Sequence, residues 1–252
     1  MVNPEANLGL GLSGRKILVV GAAQGIGTAT AIWLADLGAN VIPADVQDCS
    51  ETAAACGGVD PLRLDLSDQH SIEDTVDRLD TDDSPLYGVV NCAGLLMRRP
   101  LESTTSQEID VQTAVNQSGV FFLARRAISR MQNRGEGRIV LYTSQGAFTG
   151  GFNGSIPYAM NKAAVTALMK SLSRQGAPNG VTVNAVAPGA CDTAMLRGGM
   201  SQEDLENFEK MIPMGRFGNV NELAGPTAFL LSDWASYVTG TTMHVNGGQL
   251  MV

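Results

Sequence analysis

Short runs rich in β-branched and aliphatic residues recur along the chain at Lys16–Val20, Asn40–Ala44, Leu62–Asp65, Leu86–Asn91, Gly137–Thr143, Val181–Val186 and Thr241–Val245. Near-continuous apolar runs such as Ile17-Leu18-Val19-Val20 suit central strands covered on both faces. Between them lie stretches of helical period: Ile26–Leu37, Asp68–Leu79, Thr105–Arg130, Pro157–Gly176 and Asn221–Leu231. This alternation predicts an α/β fold, a doubly wound parallel sheet of about seven strands with helices on both faces. No repeat, low-complexity tract or Pro/Gly-rich linker divides it, so residues 1–252 are expected to form one domain. Residues 1–14 read as a lead-in to the first strand, loosely ordered from Met1 to Leu12.

One stretch breaks the rhythm. Cys191 to Phe217 is rich in Gly and Met, lacks a strand pattern, and holds a single short helical piece around Gln202–Met211. Long irregular segments in compact domains tend to carry function. Its place after a strand end puts it at the carboxyl edge of the sheet, where such folds bind ligands, and it reads as a substrate lid.

Candidate chemistry begins between the first strand and first helix. Gly21, Gly25 and Gly27 surround Gln24 and Ile26 in a Gly-x3-Gly-x-Gly spacing. Glycines there permit a tight turn and let backbone approach a pyrophosphate at a helix N-terminus. A plain turn and helix cap would use glycine too. Asp45, ending the second strand, can accept hydrogen bonds from ribose hydroxyls and would repel a 2′-phosphate. Gln24 in the loop and Val46 after the acid supply no basic replacement. NAD is the expected cofactor; the plain alternative makes Asp45 a solvated strand-end residue.

With this turn and acid in place, the chain resembles the classical short-chain dehydrogenase/reductase family, across Lys16 to Gly248. The resemblance implies a Rossmann-like fold and further cofactor contacts. Asp65-Leu66 is similar to the pair flanking adenine, and Asn91-Cys92-Ala93-Gly94 to the family's Asn-Asn-Ala-Gly, with Cys92 a departure. Pro188-Gly189 followed by Thr193 resembles the loop holding the carboxamide, and Asn246-Gly247-Gly248 the Asp-Gly-Gly ending. The resemblance also implies a homotetramer paired through helices around Thr105–Arg130 and Pro157–Gly176.

Tyr158 and Lys162 stand four apart at the start of a predicted helix, hence on one face, with Ser155 and Pro157 upstream as helix-start residues. Tyr-x-x-x-Lys alone is common and often a surface pair. The resemblance adds Ser144, at the end of the fifth strand, and Asn116 as the other members of an Asn–Ser–Tyr–Lys tetrad, with Lys162 also on the nicotinamide ribose. A phenol titrates near 10, too high for a base at neutral pH. Lowering it by two to three units takes roughly 3–4 kcal/mol of phenolate stabilisation, expected from Lys162 and an oxidised nicotinamide together. Ser144 can donate to the substrate oxygen. The resemblance gives Asn116 a water in a proton relay. The separation of Ser144 from Tyr158 is one residue longer than the family's common spacing, which leaves Thr143 as the alternative hydroxyl; Asn161 departs from the small residue usual before the lysine.

The pocket is expected to be walled by Gln145, Phe148, Phe152 and Asn153, by Leu95 and Leu96, and by Met195, Leu196, Met200, Phe208, Met211, Ile212 and Met214 of the lid, many of which would also serve as ordinary core. Arg197, Lys210 and Arg216 are dispersed and offer no phosphate cluster. An apolar surround favours an uncharged, hydrophobic, cyclic secondary alcohol or its ketone, oxidised with NAD. Alternatives are an NAD(P)H-dependent carbonyl or 3-oxoacyl reductase, and a dinucleotide-sensing regulator without turnover. A sugar-nucleotide epimerase would need a larger C-terminal substrate domain.

Composition narrows the partners. A formal net charge of −8 disfavours nucleic acid. No apolar run approaches the ~20 residues of a membrane span, and the first residues lack the basic start and apolar stretch of a secretory signal. The four cysteines (Cys49, Cys56, Cys92, Cys191) show no zinc spacing, and neither His70 nor His244 has partners nearby in sequence, so no metal is expected. Free thiols fit a cytoplasmic protein.

Overall fold

A computed structural model describes residues 9–152 and 154–252. Strands β1 (Lys16–Val20), β2 (Asn40–Asp45), β3 (Leu62–Arg63), β4 (Leu86–Asn91), β5 (Gly137–Tyr142), β6 (Val181–Pro188) and β7 (Thr242–Val245) form one sheet in the order β3-β2-β1-β4-β5-β6-β7. Every pairing is parallel. The chain winds outward one way from β1 and then returns to start the other half at β4. The crevice at that reversal is where an open α/β sheet binds ligands.

Burial follows from strand alternation. Leu18 and Val20 of β1 face a layer formed by α3 (Gln69–Leu79), α5 (Gly119–Arg134) and α7 (Ile156–Gly176), with Val76, Leu123, Met131 and Met169 in its core. Ile17 and Val19 point the other way, onto α1 (Gly25–Asp36) and α10 (Asn221–Leu231), where Leu34, Leu223 and Leu230 are fully buried. Successive strand residues thus feed opposite cores, which is why β1 is apolar from Ile17 to Val20. The lead-in is partly anchored: Leu12 is buried in this second core, and Leu10 packs against it.

Several elements differ from the sequence expectation. The expected helix Thr105–Arg130 is three pieces: α4 (Ser106–Thr113), opened by a Thr105/Glu108 capping box, a π turn at Ala114–Ser118, and α5. Behind the turn, Gly119 lies so close to Leu66 that a Cβ would sit 2.1 Å from the Leu66 carbonyl oxygen. A one-turn π insertion lets the helix meet that strand-end loop and re-aims Asn116. Another difference is α2 (Ser50–Ala55), a helix too short to carry a period of its own. Between β5 and α7, α6 is a single turn at Gly146–Thr149. The 191–217 stretch folds as α8 (Ala194–Arg197) and α9 (Gln202–Lys210), the latter opened by a Ser201/Asp204 capping box. Leu196, Leu205, Phe208 and Ile212 bury a small core of their own beneath it.

Candidate active site

At the carboxyl ends of the strands lies a cavity of about 420 Å³, lined from Val20 and Asp45 at one end to Phe152, Met195 and Phe208 at the other. Its first wall is backbone. Gly21 turns with φ 85° and Gly25 with φ 60°, both left-handed. A Cβ on Gly21 would come 2.5 Å from the Ala93 nitrogen, and one on Gly27 would come 1.9 Å from the Gly21 carbonyl oxygen. No side chain caps α1 and no acid occupies its first turn, so its leading N–H groups remain for an anion at the positive end of the helix dipole. Asp45 closes this end. Its carboxylate accepts from the Ala23 N–H (2.9 Å) and the Gln47 N–H (3.0 Å). Those bonds aim it into the cavity, where Val46, Asp65 and Leu66 also lie. A cradle that a Cβ would fill, an uncapped helix and a fixed carboxylate fit a nicotinamide dinucleotide.

At the middle of the cavity stand Tyr158, Lys162 and Ser144, with Gly94 beside them. Tyr158 and Lys162 share a face of α7, with the ammonium 5.5 Å from the phenol ring centre. Lys162 is almost completely buried and donates to the Tyr142 carbonyl (2.7 Å). Burial lowers it to about 8, against a smaller opposing pull from Cys92. At Tyr158 burial pushes the phenol up to about 12, opposed by the charge of Arg98. Ser144 Oγ accepts from the Gly146 N–H (3.0 Å), which leaves its hydroxyl proton for a ligand. Thr143, the alternative hydroxyl, is buried against α7 in bonds with the Lys162 carbonyl and Thr166 (2.8 Å each). Asn161 likewise turns to α4, accepting from Thr113.

Asn116 stands outside the lining, fully buried. Its amide both donates to the Leu95 carbonyl and accepts from the Leu95 N–H, each at 2.7 Å. It therefore clamps the chain after Gly94. Ala93, Gly94, Leu95 and Leu96 line the cavity. Asn91 lies behind them, fully buried at the end of β4, while Cys92 is part of the lining. Pro188, Gly189 and Thr193 line the far wall, and Thr193 caps α8 while its methyl lies 3.5 Å from where a Gly25 Cβ would be.

Of the expected pocket walls, Gln145, Phe152, Leu95, Leu96, Met195, Leu196 and Phe208 line the cavity. Phe152 stacks on Phe208 with ring centres 4.8 Å apart. Phe148 is turned away onto His244 (4.8 Å), because the single turn of α6 points it outward. Met200, Met211, Ile212 and Met214 are also absent from the lining; Ile212 joins the small core while Met211 and Met214 are exposed. Asn153 lies outside the described residues. Ser155 makes no helix cap; its hydroxyl closes a loop with the Phe152 N–H and carbonyl instead.

Arg98 escaped sequence reasoning altogether. It lines the cavity from the loop after β4, and the visible signal was a doubled arginine immediately beyond an apolar strand-end loop.

A nucleotide cradle at a parallel-sheet switch point, with a tyrosine and lysine beyond it, defines a dinucleotide-binding oxidoreductase fold. The chain belongs to the short-chain dehydrogenase/reductase family. A family model described as enoyl-(acyl carrier protein) reductase matches residues 21–249. The chain is 36% identical to 3-oxoacyl-[acyl-carrier-protein] reductase FabG of Escherichia coli K12, over 96% of this chain and 100% of that protein. It is 37% identical to an acetoacetyl-CoA reductase of Synechocystis, over 95% and 98% of the two chains. A crystal structure from Beutenbergia cavernae, provisionally assigned as an NAD(P)-dependent gluconate 5-dehydrogenase with NADP bound at low occupancy, superposes with a TM-score of 0.90 at 33% identity, covering 95% and 98%.

Proposed function

We propose that this chain is a carbonyl reductase that interconverts a ketone of the 3-oxoacyl type and its secondary alcohol, with NAD(H) as hydride carrier. The observation that carries this reading is the convergence of Tyr158, Ser144 and Lys162 in the cavity that also holds the glycine turn and Asp45. The names of the FabG and acetoacetyl-CoA reductase relatives favour the reducing direction over oxidation of an uncharged cyclic alcohol, the expectation drawn from the apolar pocket.

A bound nicotinamide would supply the hydride; the chain's own residues manage the oxygen. A phenol held near 12 keeps its proton across neutral pH, so Tyr158 serves as the acid that gives a proton to the oxygen as it becomes an alcohol. Ser144 donates to the same oxygen and stabilises the charge developing there. Asn116 Oδ1 and Lys162 Nζ both lie beside Gly94, 3.4 and 3.6 Å from where its Cβ would be. A water between them would return a proton to Tyr158, and Lys162 would also hold the nicotinamide ribose. Pro188, Gly189 and Thr193 would hold the carboxamide, and the segment 191–217 would cover the substrate.

NAD rather than NADP rests on Asp45. A 2′-phosphate there would meet a half-encaged carboxylate, and no basic side chain lines that end of the cavity among the described residues. Assembly as a homotetramer is supported by apolar side chains left exposed on the helices expected to pair, notably Val111, Phe121 and Met160. Sedimentation of the purified protein tests that. The central test is reduction of acetoacetyl thioesters, followed by loss of reduced-cofactor absorbance, with NADH and NADPH compared. Turnover favouring NADH is expected; no turnover of any ketone would leave the dinucleotide-sensing reading in its place.

A further inference from the structure

Among the described lining residues only Lys162 and Arg98 carry positive charge. Lys162 donates to the Tyr142 carbonyl and is already assigned to the nicotinamide ribose and the proton relay. Arg98 is committed to nothing comparable. Its Nε and Nη1 are shielded from solvent without an acceptor, and Nη2 reaches only the Leu196 carbonyl at 3.5 Å and the Met200 sulfur at 3.7 Å. Its neighbours in sequence and on the 191–217 segment are differently placed: Arg99 pairs with Glu108 and Arg197 with Asp192, each at 2.7 Å. No carboxylate among the described residues pairs with Arg98.

The loop that carries it is fixed. Asn116 binds both backbone groups of Leu95, Gln112 accepts from the Met97 N–H (3.2 Å), and the Arg99 N–H donates to the Gly154 carbonyl (3.1 Å). The last of these ties it to the loop that leads into α7 and Tyr158. A half-buried guanidinium with idle donors is costly unless an anion completes it. A net charge of −8 makes a local cation all the more necessary for drawing an anionic ligand inward.

We propose that Arg98 is a specificity-determining residue that binds a carboxylate on the substrate, so that the preferred ketone is an oxo acid in its free, ionised form. This rests on the carbonyl-reductase reading and narrows it: the acyl end is held as a carboxylate rather than as a neutral thioester. A guanidinium suits a carboxylate because its planar donors match the two oxygens. A phosphate at the far end of a long thioester carrier would instead sit outside the cavity, whereas Arg98 lies within it, under α8 and beside Tyr158.

The test is a series of oxo acids of increasing chain length, each paired with its methyl ester, alongside acetoacetyl-CoA and a short neutral acetoacetyl thioester. Reduction is measured with NADH for wild type, Arg98→Met and Arg98→Lys. In wild type, one or more acids should exceed their esters in kcat/KM. In Arg98→Met that acid-to-ester ratio should fall by about tenfold to a hundredfold, the range of a charged hydrogen bond, with partial return in Arg98→Lys. Because the charge of Arg98 also bears on the Tyr158 phenol, the ratio is the readout, not the absolute rate. Equal losses on acid and ester, or a loss confined to acetoacetyl-CoA, would overturn the assignment. If no ketone is reduced by any variant, the carbonyl-reductase reading fails first, and binding decides the rest. An oxo acid, but not its ester, should then raise the melting temperature of wild type and not of Arg98→Met; no such difference would overturn the anion site as well.

Discussion

The end of the cavity at Asp45 and the end at Arg98 are built by different means. At Asp45 the working groups are backbone N–H groups, left-handed glycines and one carboxylate, contributed by β1, α1 and β2, which adjoin in sequence. At Arg98 they are side chains brought from the loop after β4, the turn after β5, the start of α7 and the 191–217 segment. The first end is rigid because a Cβ cannot fit; the second is held by clamps such as Asn116 on Leu95 and the Phe152–Phe208 stack. A backbone cradle tolerates few sequences and one kind of ligand, whereas a side-chain wall can change specificity without disturbing the fold.

The largest expected effect separates the two ends outright. Tyr158→Phe should lower kcat by about a thousandfold, within the range of general acid catalysis. NADH affinity, read from its fluorescence on binding, should stay within a few-fold; an equally large loss there would show that the ends are not separable. Next comes Lys162, where burial can be read from stability. The folded chain holds it near 8 and the unfolded chain near the ordinary 10.5. Between those values the unfolded chain binds the extra proton, so stability should rise with pH through that window, by on the order of 3 kcal/mol in all. Lys162→Met should lose this rise, as measured by urea unfolding from pH 8 to 10.5; parallel curves for the two proteins would contradict it.

Gly27→Ala probes the cradle, since its Cβ would strike the Gly21 carbonyl oxygen. It should cost about 1–3 kcal/mol of stability, as overpacking does, and weaken NADH binding. A variant that keeps full affinity would mean that the turn is looser than its geometry. Smallest is Asp45→Ser, which removes the repulsion of a 2′-phosphate. The NADPH-to-NADH ratio of kcat/KM should rise about tenfold, a difference of about 1.4 kcal/mol; an unchanged ratio would move cofactor choice away from this carboxylate.

Much of the cofactor end was legible in the sequence because its determinants are local. An apolar run followed by spaced glycines and a strand-end acid can be read in order, and β1 and α10 appear at their expected bounds. The Tyr158/Lys162 pair was legible for the same reason: four residues on a helix share a face. What failed were properties that depend on distant contacts. The π turn that places Asn116 answers to Leu66, far away in sequence. Phe148 left the pocket because one short helical turn rotated it onto His244.

The chain by itself determined the alternating elements, the glycine turn and the types of residue available for proton transfer. Those follow from backbone sterics and periodicity, which act between near neighbours. Only the tertiary structure decided that burial pushes the Tyr158 phenol up, since burial is a sum over every surrounding element. It alone decided, too, that Arg98 faces the cavity with idle donors while Arg99 beside it is paired, because partners are chosen by the packing of loops distant in sequence.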